Sequence, residues 1–347
     1  MDHQQNQDAA DSIIVGTGPL RYRVATDWLQ LPSRIDLVEV TAVAVDAQDR
    51  VLIFNRGTHP VVVTDADGQY LSDWGQGQFA RPHGITIHND LVYTVDDLDH
   101  TVKIFTADGR LLRKLGVSGE FARTGATTVD FRTIQQAAGP FNFPTNLAVA
   151  DNGDIYVADG YGNARIHRFA ADGTLLHSWG EPGSAPGQFQ IPHGIAISRD
   201  GSLCVADREN SRLQFFSPEG EFLHEWTQIA RPCQIAFDGQ DRLYVAELGY
   251  RAGMWSGTTP PTPAATGGRV SIFAADGRLL SQFGGGADPC APGDFFAPHD
   301  IRLDSSGAIY LSEVVMSAGG NRGLVDPSCH TLQKFELLKE SADEVSA

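Results

Sequence analysis

Positive charge, long apolar runs and cysteine are all scarce in this sequence of 347 residues. Lysine and arginine number 26 against 43 aspartates and glutamates, which leaves a formal net charge of −17. Because such a charge repels the phosphates of nucleic acids and of anionic membrane surfaces, we expect neither as a partner. No apolar run approaches the roughly 18 residues that span a bilayer. The polar, acidic residues 1–12 also lack the basic and apolar regions of a secretory signal.

The four cysteines, Cys204, Cys233, Cys290 and Cys329, are widely spaced and form no C-x-x-C motif. So sparse a set is typical of a reduced protein, and we predict a cytoplasmic location. Cys290 and Cys329 each lie in a proline-containing stretch, so one disulfide between these two stays open as an alternative.

The composition is otherwise that of a folded protein, with 41% hydrophobic residues, 37 glycines and 18 prolines. It excludes a disordered, collagen-like or disulfide-knotted protein and allows one large core or two smaller ones. The number of domains then depends on whether the chain is repetitive, because a fixed repeat changes the domain count.

An internal repeat occurs six times. The copy at 81–116 reads R-P-H-G-I-T-I, L-V-Y-T-V-D-D, T-V-K-I-F and A-D-G-R-L-L-R-K-L-G. The next copy reads F-P-T-N-L-A-V, I-Y-V-A-D-G-Y, A-R-I-H-R-F and A-D-G-T-L-L-H-S-W-G. The six copies begin near Val40, Arg81, Phe143, Ile191, Arg231 and Ala297.

Each copy before the last contains four short runs of alternating apolar residues, separated by Asp-Gly, Asn-Gly or Glu-Gly turns. Four antiparallel strands repeated in this way are typical of propeller blades. We therefore predict an all-β, six-bladed β-propeller as a single domain over residues 13–338. A disordered tail at residues 1–12 and a polar tail at residues 339–347 are expected to flank it.

The last copy has only three strands, so its blade needs a fourth from elsewhere in the chain. The segment Leu20 to Trp28 matches the outer-strand pattern and has no blade of its own. We predict that this N-terminal strand joins the last blade and closes the ring, which removes both exposed sheet edges.

Three stretches fall outside the repeat, at residues 117–140, 250–268 and 314–327. Each follows the second strand of a blade or connects two blades. Both kinds of connection lie on the upper face, defined here as the face at which the innermost strands begin. Functional residues tend to lie on such elaborated loops, so we expect the functional site there, with the inserts as a lid or a dimer contact. The sequence does not predict the oligomeric state.

The first residues of the innermost strands form one ring around the central channel: Thr41, His83, Thr145, His193, Cys233 and His299. Histidine occupies alternate positions, and alternate members of a sixfold ring are related by roughly threefold symmetry. Three imidazoles directed at one point on the axis are the ligand set of a three-histidine metal site. The structural alternative is that each histidine is a hydrogen-bonded residue at the start of its strand.

A second ring follows the second strand of each blade: Arg56, Asp97, Gly160, Arg208, Leu248 and Val314, with Tyr161 one residue further on. Two arginines beside a metal could hold a carboxylate through paired hydrogen bonds. Tyr161 could act as a general acid or base if the cations lower its pKa. The structural alternatives are salt bridges from the arginines to a carboxylate such as Asp97 or Glu209, and ordinary packing of the tyrosine.

Acidic residues recur just before this second ring, at Asp96, Asp159, Asp207, Glu247 and Glu313. Because they occur in nearly every blade, we predict a structural role, the binding of loop backbone amides. Asp300 is different, because the other blades carry an uncharged residue at its position. It indicates a second cation, for which calcium with main-chain carbonyl ligands is suited. A buried salt bridge to one of the two arginines is the alternative.

The repeat motifs P-x-x-[LI]-A-[VI], [VI]-Y-V-A-D and N-x-R-[IL]-x-x-F resemble NHL repeats. More narrowly, essentially the whole propeller resembles peptidyl-α-hydroxyglycine α-amidating lyase. The motifs are N-R-G-T-H at 55–59, D-G-Y-G-N-A-R-I at 159–166, P-G-Q-F-Q-I-P-H at 186–193, V-A-D-R-E-N at 205–210 and A-P-H-D-I at 297–301. That family splits the carbinolamide C–N bond of a peptidyl-hydroxyglycine to give an amide and glyoxylate.

The resemblance implies roles for residues of both rings. The implied ligands of zinc or another transition metal are His83, His193 and His299. The implied active-site residues are Arg56, Arg208 and Tyr161, with the arginines on the substrate carboxylate and the tyrosine as the base. The implied ligands of a structural calcium are Asp300 and the backbone carbonyls of Val43 and Ile85.

The sequence departs from the secreted animal enzymes of that family in several places. Their two disulfides are matched here by Asn142 with Gly162 and by Cys204 with Phe215, and a methionine is replaced by Ala297. No monooxygenase partner domain lies within these 347 residues. We therefore expect a small carboxylate-bearing substrate, either a carbinolamide or a related hydroxy acid.

Two other functions stay open beside a metal-dependent lyase. A calcium-dependent lactonase or esterase propeller would have a channel dominated by carboxylates and asparagine. A non-catalytic NHL interaction module would have a basic or aromatic face and no need for alternating histidines. Metal content separates the three, since zinc or another transition metal favours the lyase, calcium alone the lactonase and no metal the module.

Overall fold

The computed structural model of the protein describes residues 12–250 and 266–338. Three ranges lie outside the described residues: 1–11 of the predicted N-terminal tail, 251–265 of the second insert and 339–347 of the predicted C-terminal tail. Two strands precede the blades, β1 (Ile14–Val15) and β2 (Tyr22–Val24). Within the described ranges no helix is long and apolar enough to cross a membrane.

The first three blades each contain four strands in chain order. Blade one contains β3 (Val40–Val45), β4 (Val51–Asn55), β5 (Val61–Thr64) and β6 (Tyr70–Trp74). Blade two contains β7 (Pro82–His88), β8 (Leu91–Asp96), β9 (Thr101–Thr106) and β10 (Leu111–Leu115). Blade three contains β11 (Asn146–Val149), β12 (Ile155–Asp159), β13 (Arg165–Phe169) and β14 (Leu175–Trp179).

The last three blades follow the same pattern. Blade four contains β15 (Pro192–Ile197), β16 (Leu203–Asp207), β17 (Arg212–Phe216) and β18 (Phe222–Trp226). Blade five contains β19 (Pro232–Phe237), β20 (Leu243–Glu247), β21 (Arg269–Phe273) and β22 (Leu279–Gly284). Blade six contains β23 (Pro298–Leu303), β24 (Ile309–Glu313) and β25 (Leu332–Leu337), and a short helix, α1 (Val315–Ala318), follows β24.

The six antiparallel sheets confirm the predicted six-bladed β-propeller. The predicted ring closure is also confirmed, because β2 pairs with β25 in the register Tyr22 to Leu337, Arg23 to Glu336 and Val24 to Phe335. The sequence pattern did not reveal β1, which pairs with β2 and gives blade six a fifth strand.

Hydrophobic clusters hold each blade to the next. One cluster lies at every interface between neighbouring blades, including the interface between blades six and one, where Tyr310 meets Val43 and Val51. Alternation along each strand explains this arrangement, since residues on both faces of a blade pack against neighbouring sheets. The interior is therefore a closed ring of packed sheets, which is a rigid support for the channel residues.

A β-bulge marks the start of the innermost strand in five blades. In blade two, Pro82 pairs with Asp96 and Gly84 pairs with Val95, so His83 is the extra residue between them. His193 and His299 are the extra residues of blades four and six in the same way. Because a bulge turns the chain locally and re-aims a side chain, it directs these imidazoles at the axis.

The cysteines differ from the expectation of a fully reduced chain. Cys290 and Cys329 form a disulfide with a Cα–Cα distance of 4.9 Å, so the alternative left open by the sequence is the one observed. The fold brings the two loops together although 39 residues separate them in sequence. Cys204 and Cys233 are buried free thiols, and Cys204 faces Phe215 across β16 and β17.

Candidate metal centre and active site

The three channel histidines converge on one point. Their ligand nitrogens all lie within 4.8 Å of one another, and all three side chains are buried. The ring centroids are 5.1 Å apart for His83 and His193, 4.7 Å for His83 and His299, and 4.8 Å for His193 and His299. The structure brings these three residues together, and the cluster could hold a metal ion.

Each channel histidine is oriented by the backbone carbonyl of the ring residue in the next blade. In each pair, Nδ1 of a histidine lies at hydrogen-bond distance from the carbonyl oxygen of the equivalent residue in the next blade. The distances are 2.5 Å for His83 and Thr145, 2.9 Å for His193 and Cys233, and 2.6 Å for His299 and Thr41. Because a carbonyl only accepts, Nδ1 carries the proton and Nε2 keeps its lone pair. Carbonyls that fix the histidine tautomer in this way are typical of metal sites.

Each channel imidazole is held in its neutral form. Burial lowers the pKa of His83 well below its usual range, and the neighbouring His299 and His193 lower it further. Burial and then Arg208 lower the pKa of His193 in the same way, and burial lowers the pKa of His299 to about 3. Neutral imidazole is the metal-binding form, so the site does not depend on proton loss near neutral pH.

The donor set fits a cation. The Tyr161 hydroxyl lies 3.2 Å from Nε2 of His83 and 3.0 Å from Nε2 of His193. A single hydroxyl proton can be donated to only one of these nitrogens, so the lone pair of the other still faces that of His299. A transition-metal ion at the centre would accept all three, and imidazole suits zinc, copper, iron and nickel.

Tyr161 lies directly above the histidine cluster. Burial raises the pKa of its hydroxyl, while the Arg208 guanidinium opposes that increase. The Arg208 guanidinium carbon lies 5.4 Å from the centre of the tyrosine ring, which is a cation–π arrangement. Arg208 therefore lowers the pKa of Tyr161, as expected of a nearby cation. The net pKa is nevertheless raised, because burial has the larger effect.

Arg56 lines the same cavity and is anchored by a carboxylate that sequence reasoning missed. Its Nη1 donates to Oε2 of Glu39 at 2.6 Å and also lies 3.3 Å from Oγ of Ser317. Glu39 accepts a second hydrogen bond, 2.7 Å from the backbone N–H of Ser317 in helix α1. The predicted alternative of a salt bridge is therefore present, with Glu39 rather than Asp97 as the partner.

Arg208 is held by a shared carboxylate. Glu209 accepts from Nε of Arg208 at 2.9 Å and from Nη2 of Arg231 at 2.8 Å. Burial alone would lower the pKa of Arg208, but Tyr161 and Glu209 raise it, so the guanidinium stays charged. One carboxylate between two guanidiniums leaves net positive charge in this part of the site.

A second pair of arginines, which the sequence analysis did not single out, extends the site. Arg81 and Arg231 stand two residues before the ring positions His83 and Cys233, in matching R-P-H and R-P-C motifs. Arg81 donates to Asp97 at 2.6 Å, so Asp97 is the partner of Arg81. The repeated Arg-Pro pair was the signal that could have revealed them.

The rings enclose a cavity of about 290 Å³ on the upper face. Residues from two inserts help to form its wall: Val129 from the first, and Val314, Ser317, Ala318 and Arg322 from the third. The expectation that the inserts elaborate the functional face is confirmed for these two.

The recurring acidic residues bind loop amides, as predicted. Asp96 accepts from the backbone of Ala80 and Arg81, and Glu313 accepts from Phe296 and Ala297. The other members make the same kind of bond, at Asn142 for Asp159, Gln190 for Asp207 and Ala230 for Glu247. These carboxylates therefore position the loops that carry the site.

Asp300 is paired with an arginine rather than arranged for calcium. Its Oδ1 lies 3.0 Å from Nη1 of Arg302, and Nη2 of the same guanidinium lies 3.4 Å from the Ile85 carbonyl oxygen. Burial raises the pKa of Asp300 to about 7, while Arg302 lowers it. As arranged, the predicted set of Asp300, Val43 and Ile85 does not fit a calcium ion, because a cationic side chain already contacts two of its three members.

Comparison with known proteins agrees with this architecture. The NHL repeat family matches residues 141–169 and 189–216. The propeller therefore contains NHL repeats. Among curated proteins, this propeller is 32% identical over 328 residues to peptidyl-glycine alpha-amidating monooxygenase B of Xenopus laevis, covering 84% of this chain and 34% of that protein. It therefore spans about a third of the length of that relative.

Two further relatives carry different names. A probable peptidyl-alpha-hydroxyglycine alpha-amidating lyase of Caenorhabditis elegans is 36% identical over 165 residues, which is 45% of this chain and 43% of that protein. NHL repeat-containing protein 3 of Homo sapiens is 29% identical over 317 residues, covering 86% of this chain and 83% of that protein. The relatives thus include a named amidating lyase and a protein that is named only for its repeats.

Among solved structures, the propeller superimposes on a gluconolactonase from Xanthomonas campestris with a TM-score of 0.59 at 15% identity, covering 95% of this chain and 96% of that one. A streptogramin B lyase gives a TM-score of 0.55 at 14% identity, covering 92% and 87%. Identities this low support the shared fold and carry no information about the reaction.

Proposed function

We propose that this NHL propeller is a metal-dependent lyase that cleaves the C–N bond of a small carbinolamide bearing a carboxylate. The observation that carries the proposal is the convergence of three neutral histidines with Tyr161, Arg56 and Arg208 on one cavity. The named amidating lyases among its relatives support the same reaction class.

The substrate would be an N-acyl-α-hydroxyglycine or a related hydroxy acid. Arg56 and Arg208 line the cavity on different blades, so their guanidiniums can hold a carboxylate from two sides. Glu39 and Glu209 keep the two guanidiniums in place beside the histidines. A cavity of about 290 Å³ favours a small acyl group over a long peptide.

His83, His193 and His299 would hold the metal, with zinc the first candidate. A bound metal ion would polarise the substrate hydroxyl and ease loss of its proton. Tyr161 would accept that proton as a phenolate, since its oxygen lies beside the histidine nitrogens and the Arg208 guanidinium favours the anion against the opposing effect of burial. The C–O bond becomes a carbonyl, the C–N bond breaks, and the amide nitrogen takes up the proton that Tyr161 had accepted, which gives an amide and glyoxylate.

The lactonase alternative has less support from the site. It calls for a channel dominated by carboxylates and asparagine, whereas the described cavity is lined by five arginines, Tyr161 and His299 and by a single carboxylate, Asp97. The interaction module gives no reason for three buried histidines with matched carbonyl partners. The lyase therefore accounts for more of the observed contacts than either alternative.

The test is glyoxylate release from a panel of N-acyl-α-hydroxyglycines, with N-benzoyl-α-hydroxyglycine as the first probe. We expect turnover by the wild type and a loss of about 10²-fold or more in His193→Ala, because a metal ligand is removed. His177→Ala is the matched control, since His177 is an exposed histidine stacked on Trp179. A lack of glyoxylate across the panel, or full activity of His193→Ala, would overturn the proposal. Hydrolysis of gluconolactone instead would support the lactonase.

A further inference from the structure

Arg302 occupies a position that is small in every other blade. Three residues after the channel ring, the first five blades carry Ala44, Thr86, Ala148, Ala196 and Ala236, and blade six carries Arg302. Asp300 is likewise the single charged residue at its own position among the six copies. The two exceptions stand in one blade, two residues apart on β23, so their side chains lie on the same face of the strand.

The Arg302 side chain links blade six to blade two. Its Nη1 lies 3.0 Å from Oδ1 of Asp300 and 2.9 Å from the Ile301 carbonyl oxygen. Its Nη2 lies 3.4 Å from the carbonyl oxygen of Ile85, which is 217 positions away in sequence. Only 16% of the Arg302 side chain and 1% of the Asp300 side chain is exposed, so the contact is well shielded from water.

We propose that Arg302 takes the place of a structural calcium ion and that the folded protein binds no calcium in the channel. The guanidinium joins the same carboxylate and the same Ile85 carbonyl that the resemblance assigns to calcium. This inference concerns the scaffold and does not depend on the proposed reaction.

The chemistry of the two cations explains why they exclude each other. Calcium needs six to eight oxygen ligands at roughly 2.3–2.6 Å. Arginine supplies hydrogen-bond donors and no acceptor, so it cannot be one of those ligands. A calcium ion on Asp300 would also face a permanent positive charge at contact distance, where the repulsion in a shielded site is strong. One oxygen of Asp300, Oδ2, has no partner at hydrogen-bond distance among the described residues, which shows that the pair satisfies only part of the carboxylate.

The experiment is thermal unfolding of the full chain in 1 mM calcium chloride and in excess EGTA, with calcium content measured by elemental analysis after dialysis. We expect the wild type to contain no stoichiometric calcium and to unfold within about 1 °C in the two buffers. A calcium equivalent in the wild type, or stabilisation by calcium that EGTA reverses, would overturn the inference.

Two variants test the exclusion directly. Arg302→Ala frees the carboxylate and the carbonyls, so we expect calcium to raise its unfolding temperature by about 3 °C or more. Arg302→Lys keeps a positive charge there and is expected to stay indifferent to calcium. A folded Arg302→Ala protein that takes up no calcium would contradict the proposal. If that variant fails to fold, the wild-type measurement still decides.

Discussion

Each channel histidine has one ring nitrogen engaged by the backbone of the next blade, which leaves only the other for a ligand. The same arrangement occurs three times, at His83, His193 and His299. In each case the histidine lies in a bulge and a backbone carbonyl faces its Nδ1 atom. Backbone atoms therefore set the orientation of the imidazole rings, which does not depend on further side chains. The residues that differ between blades, above all Tyr161, then decide what chemistry the cluster can support.

Replacing Tyr161 by phenylalanine tests its place as the proton acceptor. We expect kcat for an N-acyl-α-hydroxyglycine to fall by about 10²-fold or more, because the proton loses its acceptor. KM should change little, since the arginines that hold the carboxylate remain. Steady-state kinetics on the wild type and Tyr161→Phe measures both.

A matched control is Tyr156→Phe. That hydroxyl donates to the Pro218 carbonyl at 3.1 Å and lies outside the cavity, so kcat should stay at the wild-type value. Unchanged kcat in Tyr161→Phe would remove the tyrosine from the mechanism.

The site could be predicted in part because the repeat aligned equivalent positions. The rings gave His83, His193, His299 and the two cavity arginines from sequence alone, and the structure brings them together. The carboxylate Glu39 could not be found in this way, because nothing in its own repeat marks it as the partner of Arg56. Its role depends on helix α1, whose position follows from tertiary packing.

At the scale of strands and loops, the alternation of apolar residues and the turn motifs were sufficient to place all six blades and the closing strand. β1 was missed because its two residues are too short a run for any periodicity. The loop between β24 and β25 was also beyond prediction. It carries Cys329 and His330, and its contacts with the 285–297 segment depend on how the two loops fold over each other.

His330 makes this loop sensitive to pH. Burial lowers the pKa of His330, but the close contact with the Glu313 carboxylate and its negative charge raise it, and the balance is an increase. Its Nδ1 lies 2.9 Å from Oε1 of Glu313. The folded protein therefore holds this proton more tightly than the unfolded chain does. The stabilisation is complete below the ordinary histidine pKa of about 6.5 and is lost as pH rises through the folded value.

Replacing His330 by glutamine should weaken the dependence of stability on pH. We expect the free energy of unfolding of the wild type to decrease from pH 6 towards pH 8 more steeply than that of His330→Gln. Urea unfolding at several pH values measures the two slopes, and His177→Gln should keep the wild-type slope because His177 is exposed. Equal slopes for the wild type and His330→Gln would show that the pair does not titrate as described.

At the scale of the whole molecule, the charge distribution separates the surface from the channel. The chain carries a net charge of −17, yet Arg56, Arg81, Arg208, Arg231 and Arg322 all line one cavity. Composition alone predicted an acidic surface that repels polyanions, and it could not locate this basic cavity. A small anion is therefore attracted to one place on an otherwise acidic protein, which agrees with a carboxylate-bearing substrate.

The disulfide also belongs to this scale, because it bears on where the protein is found. A cytoplasmic location was predicted from the scarcity of cysteine, whereas bonded Cys290 and Cys329 are typical of an oxidising compartment. Sequence spacing could not reveal the pair, since only the folded ring brings the two loops within reach.

The metal content of the purified protein tests the central claim most directly. Elemental analysis of the dialysed wild type and of His193→Ala should find about one zinc, or another first-row transition metal, per wild-type chain and a clear loss in the variant. A folded wild type that turns over hydroxyglycines without a bound transition metal, or a His193→Ala protein with an undiminished metal content, would contradict the account.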